Sequence, residues 1–176
     1  MQIKTLALAA ALSLSALSAS ALTLQPYEVA KGSKTFTTAG AFSDSYLIDF
    51  SPAFLGADAD VGFAFTELRL KNVVDIEFGS ISFSNTYNGP SFLTLLPTSA
   101  PPFTADVASA EFTRPTTVPF YMTVAGTAVG TGANKGSYSF EFVAAPVPEP
   151  QTYALALSGL ALVGWVASRR RRDERV

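Results

Sequence analysis

Residues 137–145 read Ser-Tyr-Ser-Phe-Glu-Phe-Val-Ala-Ala, and the alternation of Tyr138, Phe140 and Phe142 with Ser139 and Glu141 decides the fold. Successive side chains of a strand point to opposite faces, so a period of two puts three rings on one face and polar groups on the other. A helix would scatter the same rings around its circumference. The pattern recurs upstream in Tyr46, Ile48 and Phe50, in Val61, Phe63 and Phe65, in Val74, Ile76 and Phe78, and in Phe120, Met122 and Val124. Asp75, Glu77, Ser139 and Glu141 take the opposite parity and are expected on a solvated face. After Gly79-Ser80 the apolar phase shifts to Ile81 and Phe83, which predicts a bulge or a strand passing between sheets. Asn72, Asn88-Gly89-Pro90, Pro101-Pro102 and the glycine-rich run from Gly126 to Gly136 punctuate these segments as turns, the last as a hairpin loop. No long amphipathic helical pattern lies between the two ends of the chain. The expected fold is all-β, an antiparallel β-sandwich of about seven or eight strands, with Phe63, Phe78, Phe120 and Phe140 in one buried cluster.

The chain of 176 residues is 48% hydrophobic and 15% charged, too apolar for a disordered protein. It has no histidine and no cysteine. That excludes His general bases, Cys nucleophiles, thiolate or imidazole metal sites and disulfides, so the fold must hold by its core alone and most routes to catalysis at neutral pH are closed. Between residues 22 and 148, six Lys and Arg stand against eleven Asp and Glu, leaving a net charge of −5. This is the wrong sign for nucleic acid phosphates. Asp58-Ala59-Asp60 offers two oxygen ligands but lacks the glycine and distal glutamate of a Ca²⁺ loop, so Asp58 and Asp60 are weak metal candidates. No cofactor and no catalytic residue is expected. A carbohydrate-acting enzyme built only on carboxylates is the minor alternative, and it would need two acids in a cleft.

The two ends read as segments that direct the protein. Residues 1–21 comprise Lys4, an apolar run from Leu6 to Leu17 and the small residues Ala19-Ser20-Ala21, which together form a secretory signal peptide to be cut by signal peptidase between Ala21 and Leu22. The run rises about 18 Å as a helix, short of a hydrocarbon core of about 30 Å. At the other end, Val147-Pro148-Glu149-Pro150 precedes the uncharged residues 153–168 and then Arg169, Arg170, Arg171 and Arg172. Pro150 has the fixed φ that suits a helix start. The expected helix over 151–168 is a marginal membrane span that needs snorkelling arginines, and the positive-inside rule keeps residues 169–176 cytoplasmic. The chain therefore divides into a signal peptide (1–21), an exported β-sandwich (22–146) and a tail (147–176).

The motif, short apolar helix and terminal arginine cluster together resemble the PEP-CTERM sorting signal. The resemblance implies recognition by a membrane-embedded, cysteine-dependent exosortase through Pro148, Glu149 and Pro150, with removal of the tail during outward sorting. Phe42-Ser43-Asp44-Ser45-Tyr46 resembles the FxDxF motif of one PEP-CTERM subfamily, with Tyr46 replacing the second Phe. On a strand, Phe42, Asp44 and Tyr46 share a face, so Asp44 must accept backbone or hydroxyl hydrogen bonds and is expected to fix a turn or a strand start. The expected protein is a non-enzymatic component of the surface or extracellular matrix. Its expected partners are signal peptidase, exosortase, the inner membrane in transit and matrix exopolysaccharide. A permanently inner-membrane-anchored binding module is the alternative.

Overall fold

The alternating segments form strands whose apolar faces meet between two sheets. The computed structural model describes residues 20–70, 73–99, 105–147 and 150–173. In chain order the strands are β1 (Ser20–Leu24), β2 (Val29–Phe36), β3 (Gly40–Phe50), β4 (Asp58–Glu67), β5 (Ile76–Ser84), β6 (Ser91–Leu95), β7 (Thr98–Ser99), β8 (Asp106–Pro115), β9 (Phe120–Ala128) and β10 (Gly136–Pro146), followed by helix α1 (Pro150–Asp173). One sheet has the order β1-β3-β9-β5-β6 and the other β2-β10-β4-β8-β7.

The ten strands among the described residues exceed the seven or eight expected, and the excess has a physical cause. β2 carries Lys31, Gly32, Ser33 and Lys34, so its inward face (Ala30, Gly32, Lys34, Phe36) shows no run of large apolar residues. A Cβ on Gly32 would fall on the Phe140 ring, and the missing side chain is what lets that ring cover the edge strand. β7 is only two residues long. β1 pairs in parallel with β3, Leu22 against Ile48 and Leu24 against Phe50, making the first sheet mixed where an antiparallel sheet was expected. Its place is set by burial, since Leu24 is fully buried and its carbonyl accepts the Ser51 amide.

The core follows the expected parity. Tyr46, Ile48 and Phe50, Val61, Phe63 and Phe65, Phe120, Met122 and Val124, and Tyr138, Phe140 and Phe142 are all buried. The phase change after Phe78 is a β-bulge, with Phe78 opposite Gly126 and Ser80 opposite Ala125. Phe63, Phe120 and Phe140 are buried, whereas Phe78, beside the bulge, is only partly buried and packs on Phe42, Phe65 and Tyr138. Val74 lies outside the regular strands in an isolated bridge to Leu70. Asp75 departs from the solvated face, because the Arg69 guanidinium holds it, Nε at 3.1 Å from Oδ1 and Nη2 donating to Oδ2 at 3.3 Å. The segment after β9 is not a hairpin loop: it carries the chain from the first sheet to the second, with Asn134 accepting the Gly136 amide at its exit. Asn72 and Pro101-Pro102 lie outside the described residues.

Candidate functional site

The motif residues of β3 converge on one side chain of the opposite sheet. Tyr138, on β10, lies under Phe42 with ring centroids 6.0 Å apart and an interplanar angle of 22°. Its hydroxyl donates to Asp44 Oδ2 at 2.9 Å and lies 2.8 Å from the Tyr46 hydroxyl. The single Tyr138 proton goes to the carboxylate, so Tyr46 donates to the Tyr138 oxygen. Lys34, on the inward face of edge strand β2, places Nζ 3.6 Å from Asp44 Oδ1. Phe36 stacks on Phe42 at 4.2 Å and closes the cluster from the same side.

Burial raises the Tyr138 phenol pKa, and the Tyr46 hydroxyl and the Asp44 charge push it further up. Burial raises the Tyr46 phenol pKa too; its hydrogen bond to Tyr138 opposes the rise and Asp44 adds to it. Both phenols stay protonated where an exposed tyrosine would ionise. The row Tyr46, Tyr138, Asp44, Lys34 is therefore an ordered donor chain ending on a carboxylate, and it ties the sheets together across the core. Asp44 receives the hydroxyl donor its position demands, but in mid-strand and not at a turn or strand start. Sequence reasoning missed Tyr138 and Lys34 as its partners. The signals were present: a lone hydroxyl among core rings needs a partner, and a lysine at inward parity on a polar strand needs a counter-charge.

A fully buried carboxylate was also missed. Glu67, at the end of β4, is 2% exposed; it accepts the Ile76 amide at 2.7 Å on one oxygen and the Asp106 amide at 3.2 Å on the other. Burial raises its pKa, opposed by the two amides, with the charges of Asp75 and Asp106 adding to the rise. It fastens the starts of β5 and β8 to the end of β4 and has no open face for a substrate. Arg114, inward-facing on β8, lies over the Phe92 ring at 4.6 Å, and desolvation lowers its pKa.

Asp58 and Asp60 occupy the outward face at the start of β4 and not a loop. Asp60 Oδ1 accepts the Thr113 hydroxyl at 2.6 Å, and the Asp58 carbonyl accepts the Val147 amide at 2.7 Å. Among the described residues no group of three or more acids is arranged to hold a metal ion. Shallow grooves run along the outward residues Gly62 and Ala64 of β4, with Glu111 and Glu141 on their margins.

The last strand and the tail helix are close neighbours in sequence. Pro146 still pairs with Ala59, Val147 is bonded to Asp58, and α1 begins at Pro150. Pro148 and Glu149 lie outside the described residues. α1 runs 24 residues and takes Arg169, Arg170, Arg171 and Arg172 into its last turns, while residues 153–165 are exposed. Among the described residues no helix is long and apolar enough to cross a membrane. At the amino end, Ser20, Ala21 and Leu22 sit within β1, whereas Ala19 and the expected signal peptide before it lie outside the described residues.

A two-sheet domain is followed by a helix whose last turns carry four arginines. Residues 146–172 match the family model of the PEP-CTERM protein-sorting motif, so the chain carries that sorting signal. The motif implies an exported, membrane-transiting protein with exosortase as its partner. The match does not reach residues 42–46, and the FxDxF likeness rests on those residues alone. Searches of the curated proteins and of the solved structures each found no match.

Proposed function

We propose that the chain is a non-enzymatic surface or extracellular-matrix protein, delivered across the inner membrane by its signal peptide and released from it when an exosortase removes the tail. The observation that carries this reading is the sorting motif at residues 146–172, placed directly after the last strand of a folded domain. Residues 153–168 of α1 are uncharged and the arginines follow at once, which suits a marginal span held by positive flanks. Tyr153, Ser158, Gly159 and Gly164 dilute its apolar content, so the span relies on being recognised more than on its own anchoring strength. A matrix role is supported by a cysteine-free, histidine-free domain whose acids are mostly engaged in structure or spread over an open face. Exopolysaccharide is the proposed matrix partner.

The test replaces Pro148, Glu149 and Pro150 together with alanine in a chain tagged after Val176. A permanent anchor needs only apolar length and positive flanks and would fractionate identically with or without the motif. Under the sorting reading, wild type loses the tag in an exosortase-dependent manner and moves outward, while the triple variant accumulates uncleaved in the inner membrane. A wild-type tag that stays joined to the domain in the inner membrane, as in the variant, would establish the permanent anchor instead.

A further inference from the structure

We infer that the end of the sandwich from which the tail emerges is a membrane-seating surface that dips into the interfacial zone of the bilayer; this rests on the proposal that α1 enters the membrane. Strand directions fix which loops share that end. β10 finishes there, so its antiparallel neighbours β2 and β4 begin there. β8 ends and β9 begins there, and β1, β3 and β5 all end there. The loops on the tail side are therefore 25–28, 51–57, 85–90 and 116–119. Each presents one large apolar or aromatic side chain to solvent: Tyr27 (73% exposed), Leu55 (92%), Tyr87 (39%) and Val118 (42%). The four loops together hold a single charge, Glu28. The opposite end also exposes leucines, but there Arg69, Asp75 and Lys135 lie among them.

A second feature marks the same end. Among the described residues, the non-glycine positions with positive φ are Tyr27 (62°), Leu55 (56°) and Asn88 (54°), and all three lie in these loops. A leucine in the left-handed region is a genuine outlier, and such backbone persists where surrounding structure fixes it and function uses it. Here the surroundings do fix it: the Tyr27 amide donates to the Ala144 carbonyl, and the Leu55 amide to the Pro52 carbonyl. Strained backbone thus presents the two most exposed apolar side chains of the four.

The occupant follows from where the chain goes next. From Val147 to Pro150 the chain spans at most about 11 Å, so a helix that enters a bilayer brings this end against its surface. Tyrosine with its amphipathic ring, leucine and valine on uncharged loops suit the headgroup and acyl boundary, whereas a charged end would be repelled from it. Seating the domain this way holds residues 147–150 at the depth where a membrane-embedded processing enzyme can reach them.

The chain has no native cysteine, so single cysteines carry an environment-sensitive fluorophore without background. Full-length Y27C, L55C and V118C, with L96C at the opposite end and L160C in α1, are labelled and reconstituted into phosphatidylcholine vesicles bearing acyl-chain nitroxides. Labels at 27, 55 and 118 should shift to the blue and be quenched several-fold more than the label at 96. Quenching at 160 with positions 27, 55 and 118 no different from 96 overturns the seating surface and leaves the inserted helix standing. No quenching at 160 overturns the inserted helix, and the three loop labels then decide the seating surface alone: quenched, it stands; unquenched, it falls as well.

Discussion

Tyr138 is the residue on which the cross-sheet cluster turns, because it touches Phe42, Asp44 and Tyr46 together. Tyr138→Phe removes the hydroxyl that donates to the partly buried Asp44 and should cost about 1–3 kcal/mol, the penalty for stranding a partly desolvated acceptor. Tyr46→Phe restores the FxDxF pattern and removes only the outer link of the chain, so it should cost less, about 0.5–1.5 kcal/mol. Urea titration of both variants measures the order, and a larger loss for Tyr46→Phe would refute the donor direction assigned here. The raised phenol pKa values also fix a sign for alkaline stability. The fold holds protons that the unfolded chain releases above its phenol pKa of about 10, so the full contribution is present below that pH and is lost as pH rises through the folded values. Unfolding midpoints should therefore fall with increasing pH above about 10, and less steeply in Tyr138→Phe than in wild type.

Among the elements, the large-residue strands and the two edge strands make different predictions. Phe120→Ala opens a cavity beneath fully buried rings and should cost about 3–5 kcal/mol, measured as a lowered urea midpoint with unchanged slope. Gly32→Ala places a methyl on the Phe140 ring and should cost about 1–3 kcal/mol through overpacking, although nothing about Gly32 in the sequence marks it as special. β3, β4, β9 and β10 were legible because each turns most of one face into the core, so apolar and polar residues largely alternate, and the bulge was legible because it reverses that phase. β2 was not, since the space beside it is filled by a ring from the next strand and its own residues are left small or charged. β1 was hidden differently, because Ser20-Ala21-Leu22 also carries the small-residue pattern expected of a signal peptidase site. Cleavage before Leu22 would leave Leu22–Leu24 to pair with Ile48–Phe50. Mass spectrometry of the exported protein should find Leu22 at the amino terminus, and a bulky residue in place of Ala21 should block that maturation. The partners of Asp44 stayed out of reach for a related reason: alternation shows which residues face the core, but not which strand of the opposite sheet they meet.

At the scale of the whole molecule, the C-terminal sorting motif was the easiest part to read, since it is contiguous in the chain. The seating surface was the hardest, because its four loops are scattered from residue 25 to residue 119 and only the strand directions gather them. The direct continuation of β10 into the tail has a mechanical consequence as well. β10 lies between β2 and β4, hydrogen-bonded to both along its length. Ladder bonds in antiparallel sheets stand perpendicular to the strands, so a pull on the tail directed along β10 loads them in shear, many at once, instead of peeling them open singly. Tension from a membrane-held tail, or from an enzyme gripping it, thus meets the sandwich along its most resistant direction, and the domain can stay folded while the chain beyond Val147 is drawn taut.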